Sequence, residues 1–454
     1  MRWALSPLSL LLICWGLSGA AVALTLAHLD RLDLVQTFMR REHLGLSVFA
    51  ATGLAWLLLG LLAYAVGDTA ARFSRRRQRK GTAQINLIRA AYLTFALNLL
   101  LLGVTAVWIA TTAAKAGGLI NLAASVYIDS LTTRDLLLEN KLFTGMRLFY
   151  AALPATACLA TALLCLGPLP RQIRCLLLAT LIGNTLALLI LPIVMSQRLL
   201  LLQLLLSCYL VACLIRGRLV GWGWSLLAVG LFLGLWMARE SITSPMIDRP
   251  TLDIGTQKLA FYLVNDMWNG FAPLAVEVPH TWGGLNLEGL MFLTFTDGYF
   301  ARILAPRAEA LQEVLGGGEF PLLTAAYVDF GPLLGALFLA LVGFVIRRIF
   351  IRSRTSLGFA VAYAQIGASL MFSSHSVYFT HQNMLFSLAL IAGLLKLVTR
   401  QEIPQPQPDL PFFRSRRRPK LHSPPLPDSL VRQVTLFASQ RRRPHATTPR
   451  HERA

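Results

Sequence analysis

Long, almost uninterrupted apolar runs alternate with short polar connectors along the whole chain. A helix needs about 20 mostly apolar residues to cross the hydrocarbon layer of a bilayer. Ten runs meet that requirement and predict transmembrane helices near 5–27, 45–66, 90–114, 145–167, 175–195, 199–215, 219–238, 322–346, 356–374 and 383–399. The runs are continuous and Leu-rich, not alternating with a period of two, which excludes an outer-membrane type of β-barrel. The fold class expected is an all-α integral membrane protein, a polytopic bundle of about 10 (10–12) spans. Residues 1–399 form its membrane domain, with one large connector at 239–321, and 400–454 form a tail.

Composition agrees with that pattern. Of 454 residues, 55% are hydrophobic and only 14% charged, and the mean hydropathy is +0.59, far above that of a soluble domain. The six cysteines all lie inside apolar runs without metal-type spacing, so they read as small core residues and not as a disulfide framework. The first run could be a secretory signal, with the small residues around Ala21 and Ala23 as a cleavage region, but it is longer than the usual signal core.

Charge then orients the chain. The connector after the second span carries Arg72, Arg75, Arg76, Arg77, Arg79, Lys80 and Arg89 against Asp68, which places it in the cytoplasm by the positive-inside rule. Alternation puts 29 of the 42 Lys and Arg on that side with 5 of the 22 acids, and both termini with them. The net charge of +20 is thus topological and not the footprint of a nucleic-acid binder. The tail beyond Arg400, rich in Pro, Arg and Ser, cannot bury a core and reads as disordered and drawn to anionic lipid.

The middle thirds of the ten spans contain no Asp, Glu, Lys or Arg. Ion-coupled transporters usually keep such residues near the midplane; here they collect on the outer side. The outer connector 239–321 has ten acids, five bases and many aromatic residues, among them Trp268, Trp282, Phe295 and Tyr299, a content suited to packing or to stacking on sugar rings. Its stretch 285–304 is amphipathic enough to lie in the interface. Arg198, alone between two apolar runs, is an interfacial anchor or an anion ligand. With Arg239, Arg249, Arg302 and Arg307 it can make a metal-free diphosphate cradle; singly, these arginines can equally pair with Glu240, Asp248 or Asp297. The acids and bases available are His280, Asp266, Glu277, Asp297, Asp329, His375 and His381. His280 can instead be a loop residue held by turn chemistry, and Asp329 a buried carboxylate pairing within the bundle. The chain contains no Asp-X-Asp, no GxxxxGK[ST], no GxSxG and no HExxH, which disfavours nucleotide-powered or metal-held chemistry. A donor that carries its own leaving group, a sugar on a polyprenyl diphosphate, fits what remains.

Three segments resemble the Wzy-type oligosaccharide repeat unit polymerases, which include O-antigen, common-antigen and exopolysaccharide polymerases. They are SQRLLLLQLLL around Arg198, the large outer connector, and the run 316–350, with Tyr327, Asp329, Phe330 and Gly331 followed by Gly335 and Gly343. The resemblance implies a glycosyltransferase of the bacterial inner membrane. It would join undecaprenyl-diphosphate-linked oligosaccharides at the periplasmic face, inverting and without a cofactor. Its surroundings would be membrane lipids, with a flippase and a chain-length regulator as pathway partners. It further implies that Arg198, Arg239, Arg249 and Arg302 hold the diphosphate, that His280 or Asp297 takes the proton of the incoming hydroxyl, and that Asp329 orients an arginine. Ligases that move finished glycan to another lipid are similar in layout, and His280 leaves that reading open. A lipid-linked oligosaccharide flippase is a third reading, with Asn98, Asn184, Gln203 and Gln365 as an uncharged lining.

Overall fold

The computed structural model describes residues 4–41, 45–74, 84–128, 130–195, 199–221, 250–276, 279–299, 301–302 and 319–400, with scattered positions between 223 and 237 and at 305. The description of the fold is confined to these residues. They are helical almost throughout: α1 (Pro7–Ala27), α2 (Asp33–Arg41), α3 (Ala51–Phe73), α4 (Leu87–Lys115), α5 (Leu119–Ile128), α6 (Ser130–Glu139), α7 (Met146–Ala151), α8 (Leu153–Leu166), α9 (Arg171–Met195), α10 (Leu199–Arg216), α11 (Thr251–Ala275), α12 (Glu288–Leu293), α13 (Leu322–Arg352), α14 (Leu357–Leu370) and α15 (Gln382–Val398). A two-residue pairing, Gln84–Ile85 with Thr399–Arg400, ties the start of α4 to the end of α15.

Among the described residues seven helices are long and apolar enough to cross a membrane: α1, α3, α4, the α7–α8 pair, α9, α10 and α13; α14 and α15 are shorter and apolar. The protein is a helical membrane protein. The run expected at 219–238 lies mostly outside the described residues. The run expected at 145–167 is interrupted at Ala152, because Pro154 at the second position of α8 starts a new helix. The α5–α6 pair in the connector after α4 was not foreseen.

The tightest helix pair is α3 with α13, which run parallel. Trp56 donates to the carbonyl of Leu323 at 2.9 Å near one end, and Arg347 lies 3.8 Å from Asp68 near the other. Close approach depends on glycine. A side chain at Gly67 would collide with the Ala340 carbonyl and one at Gly343 with the Tyr64 carbonyl, while at Gly335 it would stand 3.2 Å from the Trp56 ring. Small residues let helix backbones approach where lipid gives no hydrophobic drive for association. The fully buried Asp68 also accepts from Arg72 at 2.7 Å, one turn on. Arg347 and Arg354 stack on Phe350 beside it. This end of the bundle is cationic.

Uncharged polar residues stitch the interior. Thr156 donates to Asn98 at 2.8 Å and accepts from Asn184 at 3.0 Å. Gln203 donates to Gln365 at 2.7 Å, and Gln365 to the Pro154 carbonyl at 3.2 Å. These bonds join α4, α8, α9, α10 and α14.

Candidate functional site

The opposite end of α3 and α13 carries the polar chemistry. α13 is broken inside: Gly331 adopts φ 72°, ψ −176°, and Pro332 follows. Such angles are open essentially to glycine alone. Pro332 has no N–H to give the Val328 carbonyl, which a straight helix would require. The loop 279–287 supplies the donors instead. Thr281 N–H reaches the Val328 carbonyl at 3.2 Å and Trp282 N–H the Asp329 carbonyl at 2.9 Å.

The Asp329 carboxylate finishes the attachment. Fully buried, it accepts from the Thr281 hydroxyl, from the amides of Leu285 (3.0 Å) and Asn286 (2.9 Å), and from the Asn286 side-chain amide at 2.6 Å. Four donors on two oxygens offset the desolvation of a buried charge. Among the described residues no arginine hydrogen-bonds to Asp329; the candidates Arg198, Arg239 and Arg249 lie outside them. The Asp329 carboxylate orients a loop, because that loop brings the nearest unsatisfied donors to a helix break.

His280 stands at the edge of this construction. Its Nδ1 lies 3.2 Å from the Val328 carbonyl. A carbonyl only accepts, so Nδ1 carries the proton and Nε2 of the neutral ring is the basic atom. Nε2 faces the Gly331 backbone, 3.0 Å from where a side chain there would begin. The ring packs edge-on to Trp282 and Tyr327. Trp282 is 59% exposed, and further along the same connector Phe295 and Tyr299 are exposed as well.

A second imidazole sits at the same end. His375, in the loop between α14 and α15, holds Asp266 of α11 at 2.8 Å through Nδ1. The loop is anchored on α13, since Leu322 N–H donates to the Ser373 carbonyl at 2.8 Å. Burial alone would lower the His375 pKa, but the Asp266 carboxylate outweighs it and the net shift is upward. Burial also raises the Asp266 pKa, against the pull of His375. Glu319 raises both, and it acts as well on Glu288, Tyr378 and His381. Burial pushes the Tyr378 hydroxyl up to about 12 and lowers the His381 pKa. His381 stacks on Tyr378 and caps α15. Arg147, at the start of α7, belongs to this electrostatic group through Tyr378, Tyr150 and Glu319.

Of the remaining sequence candidates, two lie among the described residues. Asp297 and Arg302 are described and exposed, on helical backbone at 297–299 and 301–302, and the expected long amphipathic segment is helical at Glu288–Leu293 before that point. Arg198, Arg239, Arg249 and Arg307 lie outside the described residues. Arg147 and Glu319 were missed because each, read alone, is an ordinary charge at a helix border. No group of His, Cys, Asp and Glu suited to holding a metal ion occurs among the described residues. Comparison with protein-family models, with characterised proteins and with solved structures finds no match to this chain.

Proposed function

We propose that the chain is an inner-membrane glycosyltransferase that polymerises undecaprenyl-diphosphate-linked oligosaccharide repeat units at the periplasmic face, inverting and metal-independent. In this reading the ten apolar runs are ten spans, the Asp68–Arg347 end is cytoplasmic, and 239–321 is the large periplasmic connector. The observation that carries it is the juxtaposition at the Asp329 end. A hydrogen-bonded loop there carries an imidazole and the exposed Trp282 ring against the broken end of α13, and the flanks of α3 and α13 display the exposed Leu58, Leu62, Leu333 and Leu337. That surface suits a substrate that is half prenyl chain and half sugar.

Arg198, with Arg302 and one or both of Arg239 and Arg249, holds the departing diphosphate, and Arg147 joins them as a further cation of this end. The proton of the incoming hydroxyl passes to an imidazole at this end, His280 being the residue that the sequence singles out. Asp297, on the exposed segment after α12, is the alternative acceptor of that proton. Against a flippase stands the use made of Asn98, Asn184, Gln203 and Gln365. All four are buried in helix-to-helix hydrogen bonds instead of lining a path. A transfer of finished glycan to another lipid shares the same chemistry and is separated by its product.

Alanine at Arg198 or Arg302 tests the cation role. Removing one electrostatic donor to the leaving group costs on the order of 3 kcal/mol, roughly a hundredfold in rate. Strains carrying either variant at normal membrane levels make short or no polymer; full-length polymer from both contradicts the assignment.

A further inference from the structure

Two of the imidazoles at this end of the bundle, His280 and His375, differ in what stands behind them. His280 rests its Nδ1–H on a neutral carbonyl. His375 rests its Nδ1–H on a carboxylate that is itself largely sheltered, with Asp266 15% and His375 30% exposed. When an imidazole takes up a proton it becomes a cation. Only His375 has an anion in place to stabilise that charge and to fix the tautomer that leaves Nε2 basic.

The surroundings of the pair add a second, independent sign. Asn265, beside Asp266, has a buried Oδ1 with no hydrogen-bond partner, and Ser376, beside His375, has a buried Oγ in the same condition. Both residues are at least 97% buried, with relative exposures of 3% and 1%. Orphaned buried polar atoms are uncommon and destabilising. On residues next in sequence to the His–Asp pair, they are acceptor and hydroxyl positions of the kind that the hydroxyls of a sugar ring would fill.

We propose that Asp266 and His375, with Asn265 and Ser376, form the acceptor subsite of the transfer, and that His375 is its general base. The proposal rests on the glycosyltransferase reading. In the step, His375 Nε2 takes the proton from one acceptor-sugar hydroxyl, and that oxygen bonds to the anomeric carbon of the donor. The bond from that carbon to the diphosphate oxygen breaks and its electron pair leaves with the diphosphate. Asp266 is a positioning residue, acting through His375. Glu319 is the other charged group that acts on both members of the pair, and Glu288, His381, Tyr378 and Arg147 are coupled to it in turn.

The test uses purified full-length protein in lipid nanodiscs, with lipid-linked oligosaccharide extracted from a deletion strain as probe. His375→Gln is expected to lower the rate at least about 100-fold with little change in KM. Asp266→Asn is expected to retain measurable activity and to move the acidic limb of the pH–rate profile to lower pH, because His375 loses the anion that raises its pKa. A purely structural role for Asp266 would not move that limb. Labelling of His375 by diethyl pyrocarbonate, followed against pH by mass spectrometry, gives the same pKa without reference to activity. Its midpoint falls in Asp266→Asn, a readout that stands even where His375→Gln fails to fold. An unmoved midpoint, or full activity in His375→Gln, overturns the assignment. Absence of any transfer by wild-type protein, with the midpoint shift present, overturns the glycosyltransferase reading instead and with it the role of base.

Discussion

The side-chain amide of Asn286 donates to the Asp329 carboxylate at 2.6 Å, and through that contact a loop 43 residues away in sequence is fixed to the broken end of a helix. The carboxylate is the hub of the loop, so its removal leaves the half-buried amide of Leu285 and the buried amide of Asn286 without that partner. Asp329→Ala is expected to lose on the order of 3 kcal/mol of local stability. Limited proteolysis checks it: cleavage within 280–290 accelerates while the helices stay protected. Unchanged cleavage contradicts the anchoring role.

Gly331 is a second sensitive point. Its φ of 72° with ψ of −176° is costly for any other residue, and a Cβ would stand 3.0 Å from His280 Nε2. Gly331→Ala is expected to destabilise by about 1–3 kcal/mol and to displace the imidazole. A lowered thermal midpoint with a parallel loss of glycan product follows; a neutral substitution would mean that the break does not position His280.

At the cationic end the contact of α3 with α13 decides folding. Gly67→Val drives a side chain into the Ala340 carbonyl, and backbone on both sides has no room to yield. The expected cost is about 3 kcal/mol or more, seen as loss of monodisperse protein on extraction. Gly103→Val serves as the control, since nothing lies within 4 Å of that position.

The Asp266–His375 pair makes stability depend on pH. Both folded pKa values are raised, Asp266 above 3.8 and His375 above 6.5, so the folded state holds protons that the unfolded chain releases. Its stability therefore falls as pH rises, first as Asp266 ionises above its unfolded value. The His375 share is full below about pH 6.5 and is lost through its higher folded pKa. Thermal midpoints from pH 5 to 8 should decline less steeply in His375→Gln than in wild type. Equal slopes contradict the coupling.

Much of the bundle was legible because hydrophobic length is a local property: α1, α4, α10 and α15 begin and end within a few residues of the apolar runs that announced them. α3 is displaced toward Phe73, since Asp68 and Arg72 satisfy each other and let the helix run past its apolar stretch. Asp329 was recognisable as a buried acid, but its partners were not, because nothing local links residue 329 to 281–286. The Asp266–His375 contact spans 109 residues; each member was one of several acids and bases, and only folding singles out this pair. Asp297 shows the converse, a carboxylate in a suggestive segment that the fold leaves exposed.

The measurement that bears most directly on the central claim is the size of the lipid-linked intermediates that accumulate when the gene is deleted. Polymerisation of repeat units predicts single repeats on the prenyl carrier at the periplasmic face, restored to long chains by the wild-type protein and not by His375→Gln. Finished polymer left on the carrier, or precursor retained on the cytoplasmic face, would contradict it.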